Sequence, residues 1–403
     1  MNSITAGPPD QKRFGTRAIR FIVVLILLFL GLFILSREVN HLKANDFSRY
    51  WLSSRLLLSG ADPYNASQAL TDPEAAGMSL EQSCITYNPP WTLPLIAVFG
   101  LFSRPVGQMV WLLVQVTAVL LCALYIWKMY AGQSKLRWLA LLLAFTFGPV
   151  VAAVVLQGQI SPIMLLGLIG FLIFIDQREK SWLAGVFLIP ASLKPQVLYL
   201  FFIAFLLWVV FSRKWSPLVS FASIIILLGI IVYLIDPQVY TQYLQCMREK
   251  GPANWATPTI GFYMRLANNQ TGFLLQFLPS IIGAVWMVYF WLKHRLEWDW
   301  KREMPLILFA ATITAAYIWT YDMVILLLPL LLAFIGLLRQ NNRWEVVSLI
   351  AGYLVIDLLY LWLHLRMDDS KFIWLAPALF VWYILARAIH EVPLPANANQ
   401  KSA

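Results

Sequence analysis

Apolar runs of membrane-crossing length recur along almost the whole chain, at 18–35, 106–127, 137–156, 159–175, 216–235, 272–292, 344–363 and 372–390. A helix rises about 1.5 Å per residue, so roughly 20 apolar residues cross the hydrocarbon of a bilayer, and fewer suffice where neighbouring segments shield them. Two further apolar stretches are long but interrupted, 182–211 by "KPQ" and 304–338 by "WTYD". Each begins and ends beside cationic clusters, which predicts two short helices that cross and return. The expected fold is an all-alpha polytopic membrane protein with about 12 transmembrane helices, plus outer-face re-entrant or amphipathic helices. Composition agrees: 60% of the 403 residues are hydrophobic and 12% charged, where soluble domains carry about 25% charged residues.

Charge sets the orientation. With the N-terminus inside, most Lys and Arg fall on the inner side, even though the two longest loops, 36–90 and 236–271, lie on the outer side. The positive-inside rule then places both termini in the cytoplasm. This holds if "WTLPLIAVFGLF", 91–102, does not cross, and its short length and Pro94 suit a re-entrant or interface-lying helix. The first run ends in "SREVN" without a small-x-small cleavage site, so it is expected as a retained helix. The expected organisation is a cytoplasmic tail at 1–17, a single transmembrane domain at 18–390, and a second tail at 391–403, in the inner (cytoplasmic) membrane of a cell. A net charge of +10 fits this bias and attraction to anionic membrane lipids, rather than nucleic acid. Of the three cysteines, only Cys84 and Cys246 share the outer side, and whether they pair is left open.

This topology gathers separated polar residues at one outer mouth. In "NDFSRYWLSSRLLLSGADPYN", 45–65, Asp46 is either the cap of a helix that begins at Phe47 or a carboxylate able to take a proton from a hydroxyl. Arg49, Tyr50 and Trp51 follow on the same helix as pocket candidates. Gly60, Asp62 and Pro63 read as a turn. In "TYNPPW", Pro89 and Pro90 force an extended lead into the next helix, Tyr87 and Trp91 offer an aromatic surface to a sugar or lipid or to the membrane interface, and Tyr87 and Asn88 are pocket candidates. Gly158 fits a tight turn between Gln157 and Gln159, whose amides would bond ligand hydroxyls or exposed backbone.

Lys194 interrupts an apolar stretch, so it either snorkels outward or contacts a phosphate, helped by free amides of a helix expected to start at Pro195. Tyr321 and Asp322 interrupt another, and a carboxylate at membrane depth needs a cation, water or a function. The 236–271 loop carries Arg248, Trp255 and Arg265, and suits equally a lid over a charged ligand and a surface on lipid heads. The four histidines are scattered, so no metal site is assigned, although carboxylates alone leave a divalent cation open.

"DFSRYW", "LLLSGADPYN", "YNPPW", the "GQ" with its proline, "LKPQ" and the late "YD" together resemble the polyprenol-phosphate-sugar-dependent glycosyltransferases of family 87, in the GT-C superfamily. The similarity runs from about residue 40 to 338 and extends to actinobacterial alpha-1,2-mannosyltransferases. It implies a GT-C-like fold, a polyprenyl-phosphate-linked sugar as donor, a lipid-linked or glycan acceptor, and inverting hexosyl transfer. Asp46 takes the family's proposed general-base position. Lys194, Tyr321 and Asp322 match recurring positions, with Arg265 or Arg248 as further phosphate contacts. One departure is "AAYIWTYD", which lacks the histidine of a Ser-Pro-His-like run. Two rival readings are a polymerase or ligase that uses a lipid-diphosphate glycan, and a lipid or solute transporter with Lys194 and Asp322 on its path.

Overall fold

The computed structural model describes residues 45–71, 85–132, 136–251, 255–269 and 272–388. The chain divides into two units, 1–44 and 45–403, and the following concerns the second. The first apolar run, both terminal tails and Cys84 lie outside the described residues.

Every regular element among the described residues is a helix, but twelve spans are not formed. Among the described residues five helices are long and apolar enough to cross a membrane: Arg104–Ala131, Ser216–Ile235, Thr320–Leu337, Arg343–His364 and Asp369–Ala388. The pair Arg137–Thr146 and Gly148–Gln157, bent by 66°, makes six if taken as one broken span. Hydropathy registers an apolar run whether or not the backbone stays helical through it, and here several runs break. Ser161–Phe174 and Tyr199–Ser212 have 14 residues each, a rise of about 21 Å against about 30 Å of hydrocarbon. Ser181–Ala191 has 11 residues and carries Pro190. Pro90–Leu101 is a chain of short helical turns.

The best-buried span is Thr320–Leu337, 94% of whose apolar window is inside the protein, against 17% for Ser216–Ile235 and for Arg343–His364. The first is thus the central post, and the other two turn most of their surface outward. Aromatic contacts among Phe171, Phe201 and Trp300, at 5.0–5.6 Å, edge to face for Phe171 with each of the other two and tilted between those two, add an aromatic core between three short helices.

Breaks in apolar backbone need new hydrogen-bond partners. At 147–148 the chain turns where the Gly148 N–H donates to Asp357 Oδ1 at 2.8 Å. A Cβ at Gly148 would lie 2.3 Å from the Tyr360 ring, so only glycine fits there. At 315–319, side chains satisfy the freed carbonyls: Ser280 Oγ donates to Thr314 O at 2.7 Å and Gln276 Nε2 to Ala316 O at 2.5 Å. Polar side chains therefore do at these breaks what the helical ladder does elsewhere.

Candidate active site

The helix Asp46–Leu58 begins the site. Its cap is Asn45, whose Oδ1 accepts from the Ser48 N–H at 3.1 Å. That leaves the Asp46 carboxylate, in the first turn, free for other partners. The helix buries Phe47, Trp51 and Leu52 and ends at Ser59, followed by Gly60 at φ +75°. Asp62 Oδ1 then accepts from the Tyr64 N–H at 2.9 Å, an Asx turn that makes Asp62 architectural.

Asp46 opens onto a cavity of about 340 Å³ lined also by Arg49, Tyr50, Thr86, Tyr87, Asn88, Gln159, Lys194, Gln196, Trp255, Trp319 and Tyr321. Besides that helix, five stretches of chain supply these groups, 85–88, 159, 193–196, 255–256 and 319–321. Gly158, at φ +62°, turns the chain so that Gln159 faces Asp46; the Gly158 carbonyl accepts from Trp111 Nε1 at 2.7 Å. Lys194 sits in the turn between Ser181–Ala191 and Tyr199–Ser212. The following helix starts at Tyr199 rather than Pro195, because 194–198 is taken up by tight turns from Lys194 O and Pro195 O. Asn88 Nδ2 donates to Leu193 O at 2.9 Å and holds that turn from across the cavity. Pro89 is extended and Pro90 starts the next helical turn.

One polar network joins the walls. Gln159 Nε2 donates to Asp46 Oδ2. Gln159 Oε1 accepts from Lys194 Nζ at 2.8 Å and from the Tyr50 hydroxyl at 3.1 Å. Lys194 Nζ also pairs with Asp322 Oδ1 at 2.7 Å and lies 4.9 Å above the Tyr321 ring. Asp322 is fully buried and accepts from Ser161 Oγ at 2.5 Å and the Trp319 N–H at 3.3 Å. Arg49 Nε stands 3.8 Å from Asp46 Oδ1. Burial pushes the Asp46 carboxyl above the ordinary carboxylate range, opposed by Arg49, Lys194 and the Gln159 amide, while Asp322 adds to the rise. The side chain is 26% exposed, so cavity water screens part of that rise. Burial likewise raises Tyr50 far above its usual value, which keeps its phenol a donor.

Tyr87, Trp255, Trp319 and Tyr321 form an aromatic wall. Trp255 meets Tyr87 edge to face at 4.4 Å and Trp319 at 5.1 Å, and Trp319 lies parallel to Tyr321 at 6.0 Å. Such a wall takes a flat apolar ligand face, and the network takes hydroxyls or a charged group.

Five residues singled out from the sequence stand outside the cavity lining, Asp322 among them, which is joined to it through Lys194. Trp51 donates to Phe102 O at 3.0 Å on the far side of its helix. Arg248 is exposed on the polar helix Val239–Lys250. Gln157 ends the helical segment before Gly158. Arg265 is 2% exposed behind Trp255, to whose carbonyl it donates at 2.8 Å. Its Nε has no partner, and no carboxylate pairs with it among the described residues.

The structure adds Ser161, Gln196 and Trp319 to the site. It also adds Asp369, which accepts from the Thr320 N–H at 3.0 Å and from the Thr320 hydroxyl, beside Tyr321 and Asp322. On the rim, Cys246 is disulfide-bonded, its partner outside the described residues, and its sulfur lies 4.0 Å from Thr86 O. Among the described residues no group of three or more His, Cys, Asp or Glu side chains is placed to hold a metal ion.

Comparison with known proteins gives one match. The family model described as glycosyltransferase family 87 matches residues 86–318, more than half of the chain. No curated protein and no solved structure matches. The matched segment includes Tyr87, Gln159, Lys194 and Arg265, whereas Asp46, Tyr321 and Asp322 flank it.

Proposed function

Because the chain belongs to glycosyltransferase family 87, whose members use a polyprenyl-phosphate-linked sugar as donor, we propose that the Asp46 cavity transfers a hexose, mannose in the first instance, to a lipid-linked or glycan acceptor with inversion. The observation that carries this reading is the convergence of Asp46, Gln159 and Lys194 in one hydrogen-bonded network at an aromatic-walled cavity.

In the proposed step, Asp46 takes the proton of the acceptor hydroxyl as its oxygen attacks the anomeric carbon. The bond from that carbon to the phosphate oxygen breaks on the opposite face, and the phosphate leaves with the electron pair. The leaving group is already a stabilised anion, so one base and nearby cations suffice.

The pairing of the cations at the site suggests which one meets the donor phosphate. Lys194 is neutralised by Asp322 at 2.7 Å, and Arg49 stands beside Asp46 at 3.8 Å. Arg265 is the buried cation without a carboxylate partner among the described residues, one layer behind the cavity at Trp255. Asp369 adds a third carboxylate, so Arg49, Lys194 and Arg265 leave no surplus charge, and Arg265 is offered to the phosphate as the cation that no carboxylate among the described residues holds. In this role Arg265 steadies the departing phosphate and Lys194 organises the network. The disulfide at Cys246 supports a mouth on the outer, oxidising side of the membrane, because such bonds persist outside the reducing cytosol.

The test offers purified protein a panel of polyprenyl monophosphate hexoses and diphosphate-linked glycans, with labelled products identified by mass. Product from a monophosphate hexose supports the proposal. Product from diphosphate-linked glycans alone, or solute flux without product, counts against it.

A further inference from the structure

Gln159 occupies the centre of the network, and chemistry fixes which way its amide points. An ammonium can only donate, so the group facing Lys194 Nζ at 2.8 Å must be the amide oxygen. The Tyr50 hydroxyl, at 3.1 Å, donates to the same oxygen. The NH2 group is thereby turned toward Asp46, where it donates to Oδ2.

The backbone beneath it is equally constrained. The Gln159 carbonyl accepts from Gln115 Nε2 at 2.7 Å, and the Gln159 N–H donates to Ala153 O at 2.8 Å. Gly158 precedes it in a left-handed conformation, where a Cβ would lie 3.1 Å from Phe47 Cβ. Gln159 itself is 3% exposed, so little of it is open to a ligand.

We propose that Gln159 is a positioning residue for Asp46: it ties down one carboxylate oxygen, leaves Oδ1 for the acceptor's proton, and links the carboxylate to Lys194. It does not act as an acceptor contact. This inference rests on the proposed transfer reaction only in assigning Asp46 a proton to take. The charged and titratable groups facing Asp46 are Arg49 and Tyr50 from its own helix, Lys194 from the 192–198 turn, and Tyr321 and Asp322 from the central helix. Loss of the amide donor removes one group that favours the carboxylate and leaves burial less opposed.

The experiment compares full-length wild type with Gln159→Ala and Gln159→Met. The second keeps the length of the side chain and removes the N–H donor without adding a charge. Asp46 titration is read by its protonated-carboxyl infrared band, identified by its absence in Asp46→Asn, and transfer kinetics are measured across pH with a polyprenyl-phosphate hexose. Both variants are expected to titrate at higher pH than wild type. The acid limb of kcat should move the same way, with kcat reduced by about 100-fold or less, the lower end of what a positioned base contributes. The acceptor KM should stay within about twofold, since this role involves no acceptor contact. An unmoved Asp46 titration, or a raised acceptor KM with an unmoved acid limb, overturns the proposal. If wild type transfers no sugar while the titration still shifts, the transfer reading fails and the positioning role stands. Should Gln159→Ala misfold, the near-isosteric and uncharged Gln159→Met carries the same two outcomes.

Discussion

Lys194→Met removes the only basic side chain within salt-bridge distance of Asp322 among the described residues. Asp322 is fully buried, and the variant leaves it with the Ser161 hydroxyl and the Trp319 N–H as donors. Breaking a buried pair from one side costs about 3–5 kcal/mol, mostly because a charge is left uncompensated. Asp322→Leu strands Lys194 instead, but that ammonium keeps Gln159 Oε1 and reaches cavity water, so its loss should sit at or below the bottom of that range. The double variant Lys194→Met/Asp322→Leu removes both charges and should return to within about 1 kcal/mol of wild type. Unfolding free energies in mixed micelles give the complete cycle. All three variants should lack transfer activity, which separates the function of the pair from its energetics. A Lys194→Met protein within about 0.5 kcal/mol of wild type would refute the reasoning, since it would mean that Asp322 is not held as a charge by Lys194.

Asp369→Ala should leave the buried Thr320 N–H and hydroxyl without their shared acceptor, costing about 1–3 kcal/mol in the same unfolding assay. It should also lower transfer, because Thr320 precedes Tyr321 and Asp322. The pH dependence follows from the raised Asp46 value. Activity requires the carboxylate, so rate should fall on acidification through a midpoint above the ordinary carboxylate range, as a pH–rate profile will show. The linked stability has the opposite sense: a raised folded-state pKa contributes stability that is present below the unfolded value and lost as pH rises through the folded one. Asp46→Asn should therefore lose less stability than wild type between acid and neutral pH, as measured by unfolding at both.

The residues legible in the sequence were those that interrupt apolar stretches. Lys194 and Tyr321-Asp322 stand out because charge at membrane depth is costly, and the structure joins Lys194 to Asp322 at 2.7 Å. Helix geometry explains the mixed outcome after Asp46. Positions three and four residues on, Arg49 and Tyr50, share its face and line the cavity, whereas Trp51, five on, is rotated about 140° away and packs against Phe102. Arg248 and Arg265 come from the same loop region, yet one is exposed and the other 2% exposed, a difference decided by tertiary packing. Asp369 gave no signal, since an acidic residue beside Asp368 between two apolar runs reads as a wet loop.

The number of spans was the least legible feature. Apolar content is a property of the run, while crossing length belongs to the continuous helix. Breaks at Gly148 and across 315–319 depend on Asp357, Ser280 and Gln276, which supply hydrogen bonds from distant positions. No local pattern reveals those partners.

Transfer of labelled hexose from a polyprenyl phosphate by the purified protein in proteoliposomes, compared between wild type and Asp46→Asn, tests the central claim most directly. The account predicts transfer by wild type, and loss of at least about 100-fold in Asp46→Asn with donor binding and folding retained. An Asp46→Asn protein that transfers sugar at the wild-type rate would contradict it.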